Sequence, residues 1–62
     1  MTNNDQQYTQ IELAESVRES CIEAARDGFK DASMSGLCNE GAMEAAISAI
    51  QQLDLQKVIQ KK

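Results

Sequence analysis

The chain has 62 residues, with ten acidic and six basic side chains, no histidine, no proline, two cysteines and a net charge of −4. That length allows one small domain with a thin core, which needs a metal, disulfides or self-association to be stable. Two cysteines without histidine complete neither a tetrahedral metal site nor a stapled scaffold, and the acidic balance disfavours nucleic acid and anionic membrane surfaces, so self-association remains.

The first stretch, MTNNDQQYTQ, is polar and lacks the charged-then-apolar order of a signal peptide. Residues 1–8 read as a flexible amino terminus, and the rest as one helical domain of the cytoplasm with reduced thiols. Thr9 is a candidate helix cap, since Glu12 follows three residues later in a capping-box pattern. From there to about Met34 no proline and a single glycine interrupt the chain. Ile11, Ala14, Val17, Cys21, Ala24, Ala25, Gly28 and Ala32 recur at steps of three and four, which predicts a helix over 9–34 with one apolar stripe. Most of that stripe is small, so a helix packed on it must come close; Ile22 and Phe29 beside it are expected to supply the bulk. Gly28, which costs about 1 kcal/mol against alanine inside a helix, reads as the point of closest crossing, with a hinge or bend as the alternative.

Residues 35–39 form the predicted turn. Gly36 suits the left-handed cap that ends a helix, and Asn39 is expected to cap the next one, with Cys38 and Met43 as a hydrophobic staple and Glu40 facing the helix dipole. The second helix is expected over 40–53, with Met43, Ala46, Ile47, Ile50 and Leu53 as its apolar face. Its phase breaks after Leu53, so Asp54 is a candidate cap for a helical tail over 54–60. Two helices joined by a short turn make an antiparallel hairpin. Folded at Leu37, it brings Phe29 opposite Met43 to Ala45, and Lys57, Lys61 and Lys62 beside Glu12, Glu15 and Glu19. The fold class is therefore all-α, and two such hairpins make a four-helix bundle as a homodimer.

The chemistry that remains is narrow. Without histidine, no serine or cysteine here has a base to activate it, so no catalytic residue is assigned and the chain reads as a non-enzyme. The glycines of SGLCNEGA lack the preceding strand and the Lys-Ser/Thr of a phosphate loop, and Glu40 would repel an anion. DASMSGL departs from the Asp-Ser-Leu motif of carrier proteins. No cofactor or metal is called for.

Two candidate sites are left. One is the turn, Cys38, Asn39, Glu40 and Gly41, where a thiol near a helix start can ionise early. The other is the acidic ladder Glu15, Glu19, Glu23 and Asp27, continued by Asp31, which reads as a solvated face or as a docking face for a basic protein partner. The run GLCNEGAMEAAISAIQQLDL resembles short bacterial proteins with a Gly-Leu-Cys-x-Glu-Gly core and no assigned activity. The expected role is a small interaction or regulatory protein acting through its helical surface as a homodimer, without nucleic acid or membrane. The alternatives are a ligand-binding or thiol-sensing protein using the Leu37–Met43 turn, and an accessory subunit of an enzyme complex.

Overall fold

A computed structural model describes the backbone of residues 2–60 and the side chains of residues 10–60. Three helices follow in order: α1, Thr2–Met34; α2, Asn39–Gln51; and α3, Leu55–Gln60. Among the described residues none is long and apolar enough to cross a membrane. The long first and second helices lie against each other, α3 returns onto α1, and the molecule is a narrow rod of 54 × 17 × 13 Å.

The first helix starts at Thr2 rather than at the expected Thr9 cap. No glycine or proline separates the two positions, so nothing in the backbone stops the helix from growing outward. Its other end is as expected. Gly36 has φ +99°, the left-handed region open to glycine, and the Leu37 N–H donates to the Ala32 carbonyl at 3.0 Å while the Gly36 N–H donates to that of Ser33. This pair of bonds is the Schellman closure, which satisfies carbonyls the helix would otherwise leave bare.

The N-cap of α2 is Cys38, one residue before the expected Asn39, which is itself the first helical residue. Cys38 has the extended backbone of a cap (φ −72°, ψ 173°), and its carbonyl accepts the Ala42 N–H at 2.8 Å. The shift undoes the expected Cys38–Met43 staple: Cys38 is exposed and Met43 is 59% exposed. Leu37 instead lies on the first turn, and a Cβ on Gly41 would stand 3.2 Å from its Cδ2. The bare Gly41 gives Leu37 its seat.

The seam between α1 and α2 is built of small residues. A Cβ on Gly28 would stand 2.9 Å from the Ala45 carbonyl oxygen, 3.0 Å from the Ala49 Cβ and 3.2 Å from the Ala46 Cα. Gly28 is thus level with Ala46, close to the register that folding at Leu37 implies. Among the described residues Ala32 and Ala42 are buried beside this contact, Val58 of α3 is the third buried apolar residue, and no large side chain is fully buried. The cap expected at Asp54 is present: its Oδ1 accepts the Lys57 N–H at 3.3 Å and its carbonyl accepts that of Val58.

Lys57 lines a groove with Ser20, Glu23, Ala24 and Asp27, and Val58 beside it also borders Ser16 and Glu19. Lys61 and Lys62, expected beside the same acids, lie outside the described residues.

The seam makes one substitution decisive. Alanine at Gly28 would gain about 1 kcal/mol in helix propensity. It would also press a methyl against a backbone oxygen that cannot rotate away, an overpacking cost of about 1–3 kcal/mol. The account predicts that Gly28→Ala lowers stability or leaves no gain in urea unfolding, whereas Gly41→Ala, which meets only a half-exposed Leu37 side chain, stays within about 0.5 kcal/mol of the parent.

Candidate interaction surface and the thiol at the turn

The large apolar side chains that sequence periodicity assigned to packing lie outside the seam. Ile22 is 47% exposed, Phe29 39%, Met43 59%, Ile47 44% and Ile50 36%. Each follows a small seam residue by one position: Cys21–Ile22, Gly28–Phe29, Ala42–Met43, Ala46–Ile47 and Ala49–Ile50. One residue is about 100° of helix rotation. In an antiparallel pair, the same rotation away from the seam on both helices leads to the same side of the pair. The five side chains therefore form one apolar face, with α1 contributing Ile22 and Phe29 and α2 the other three.

The opposite side carries α3. There Val58 separates two grooves, one of about 390 Å³ lined by Ser20, Glu23, Ala24, Asp27, Leu53, Asp54, Lys57 and Val58, the other of about 220 Å³ lined by Ser16, Glu19, Ser20, Glu23 and Val58. The acidic ladder is thereby divided. Glu15 makes a 3.5 Å ion pair with Arg18 on the outside of the helix, whereas Glu19, Glu23 and Asp27 border the grooves. A four-residue step advances about 40° round a helix, so a ladder of four acids winds off any single face. Both grooves are shallow clefts bounded by exposed carboxylates, and no three His, Cys, Asp or Glu side chains among the described residues are grouped as metal ligands.

At the turn, Cys38 is a free, fully exposed thiol, and Cys21 is free and half-buried in the seam. The Cys38 side chain closes no capping hydrogen bond, but the Gly41 N–H, and after it that of Glu40, favour negative charge on the sulfur and hold the thiol below its ordinary pKa range. These are two of the N–H groups that every helix start leaves without an intrahelical partner. Glu40 thus acts on the sulfur through its backbone N–H, in the lowering direction. Of the predicted turn site, Cys38, Glu40 and Gly41 come together, and Asn39 serves only as the first helical residue.

Compared with family models, with curated proteins and with solved structures, the chain matches none significantly.

The thiol's environment sets a pH dependence. A lowered pKa puts more of Cys38 in the reactive thiolate form at neutral pH. Alkylation of the native protein by iodoacetamide should therefore modify Cys38 before Cys21, with a half-maximal pH below that of an unstructured cysteine peptide. Equal rates for the two, or a Cys38 midpoint at or above that of the peptide, would contradict the assigned environment.

Proposed function

We propose that this is a small, non-enzymatic interaction protein of the cytoplasm, working as a homodimer whose two hairpins form a four-helix bundle. The observation that carries the reading is the face of Ile22, Phe29, Met43, Ile47 and Ile50. Fully burying one such side chain is worth about 1.5–3 kcal/mol. In the single chain these five remain 36–59% exposed, while the buried apolar set among the described residues is Ala32, Ala42 and Val58. A contiguous exposed patch of this kind marks an association surface. Association is also what a hairpin needs to offset the backbone entropy of its ordered residues, about 1–2 kcal/mol each. The dimer leaves the groove side, with Glu19, Glu23 and Asp27, free for a basic protein partner, which is where regulatory binding would take place. An accessory-subunit role would use the same apolar face against a different chain.

The exposed Cys38 supports a second reading, a thiol sensor at the Leu37–Met43 turn, because its lowered pKa favours oxidation and alkylation. The apolar face accounts for more of the sequence than one cysteine does.

Two substitutions of equal chemistry separate the faces. Ile50→Glu places a carboxylate on the apolar face, and Ser48→Glu places one on the groove side of the same helix. Ile50→Glu should weaken self-association by at least about 2 kcal/mol and abolish the rise of melting temperature with protein concentration that a dimer shows. Ser48→Glu should leave both unchanged. A parent protein whose melting temperature is independent of concentration would contradict the homodimer.

A further inference from the structure

We infer that α3 is an autoinhibitory strap: it covers the acidic side of α1 as an internal ligand, and a basic amphipathic helix of a partner protein, carrying a lysine followed by an aliphatic residue as in Lys57–Val58, binds there by displacing it. The inference rests on the basic partner proposed above for the groove side. It adds the motif that partner carries and the step that regulates its access.

The first observation is how charge divides along the chain. Residues 1–53 hold nine acidic and three basic side chains, a net charge of −6. Residues 54–62 hold Asp54 and three lysines, a net charge of +2. The basic segment begins by folding back on the acidic one: α3 packs on α1 and, among the described residues, not on α2. Its seat is a strip of small, half-buried side chains, Ser16, Ser20 and Ala24, at the four-residue spacing of one helix face. Exposed Glu19, Glu23 and Asp27 run beside the strip, and Lys57 lines the same groove as Glu23 and Asp27. An aliphatic anchor on a small-residue strip, with a cation set among carboxylates, is helix-in-groove recognition performed within one chain.

The second observation is how little holds α3 down. It has six residues, and Val58 is its one buried side chain; Leu55 and Ile59 are exposed. Lys57 stands among Glu23, Asp27 and Asp54 without an ion pair to any of them. Grooves of about 390 and 220 Å³ stay open beside Val58, so the seat is underfilled. One buried valine is set against the ordering of six residues, so α3 opens more readily than the α1–α2 seam. The short connection from α2, Gln52 to Asp54, keeps α3 close enough to rebind. A second copy's α3 would bring the same single anchor without that tether. A longer helix of the same chemistry fills both grooves and keeps them.

The test uses the full-length chain, with a synthetic peptide of its own residues 53–62, LDLQKVIQKK, as the probe and the amide shifts of the isotope-labelled protein as the readout. Val58→Asp in the chain undocks the strap. Ile59→Pro, which breaks α3 and leaves its charge unchanged, is the second variant. A ligand that competes with a docked strap loses apparent affinity in proportion to the open fraction, so both variants should bind the peptide at least about fivefold more tightly than the parent. Glu23→Lys with Asp27→Lys in either background should abolish binding, and so should Val58→Asp in the peptide; binding that survives these changes overturns the motif. Equal affinity for parent and variants overturns the strap and leaves the basic-partner surface standing. No binding to parent or variants at millimolar peptide overturns both. A Val58→Asp chain that loses its dimer places α3 on the partner copy and overturns the strap.

Discussion

The contact between Gly28 and the backbone of Ala45 and Ala46 governs the rest of this structure. It draws the two helices so close that a single methyl would press on a carbonyl oxygen. Such an approach is open only to a seam of glycine, alanine and cysteine, and it leaves no room for large side chains between the helices. Ile22, Phe29, Met43, Ile47 and Ile50 are therefore displaced by one position, about 100°, onto a shared flank. The close crossing and the exposed apolar face are one fact seen from two sides. A hairpin built this way gains packing between its backbones but little transfer of large apolar surface out of water, which is the larger stabilising term in folding.

The turn follows the same economy. Gly36 closes α1 with a left-handed cap, and three residues later the chain is helical again. So tight a turn keeps α2 in register with α1 and leaves Leu37 to find a seat on Gly41. Cys38 falls at the cap itself, where the unpaired N–H groups of Gly41 and Glu40 act on its sulfur. Its acidity is a by-product of helix geometry, present whether or not the thiol is used.

Much of this was legible in the residues. The three-and-four spacing of small side chains pointed to a close crossing at Gly28, Gly36 to the end of α1, and Asp54 to a new helical start. The choice between two neighbouring stripes on α2 was not legible. Ala42–Ala45–Ala49 and Met43–Ile47–Ile50 share the helical period, and hydrophobicity alone favours packing the larger. Only complementarity with an α1 seam that is itself small selects the alanines. The cap at Cys38 was missed because Asn39 is the better capping residue by type, and one residue of extended backbone decides the matter. The acidic ladder looked like one face in a linear count, but a four-residue step winds about 40° and carries Glu19, Glu23 and Asp27 round to the grooves while Glu15 pairs with Arg18.

The central claim is that the apolar flank left over by the close seam is covered by a second copy of the chain. Sedimentation equilibrium of the unmodified protein tests it most directly. The account predicts a folded, helical species of about 13.6 kDa, twice the chain's 6.8 kDa, at micromolar concentration, dissociating only on dilution or with loss of helicity. A stably folded 6.8 kDa monomer across the same concentrations, with Ile22, Phe29 and Ile50 still open to solvent, would contradict it.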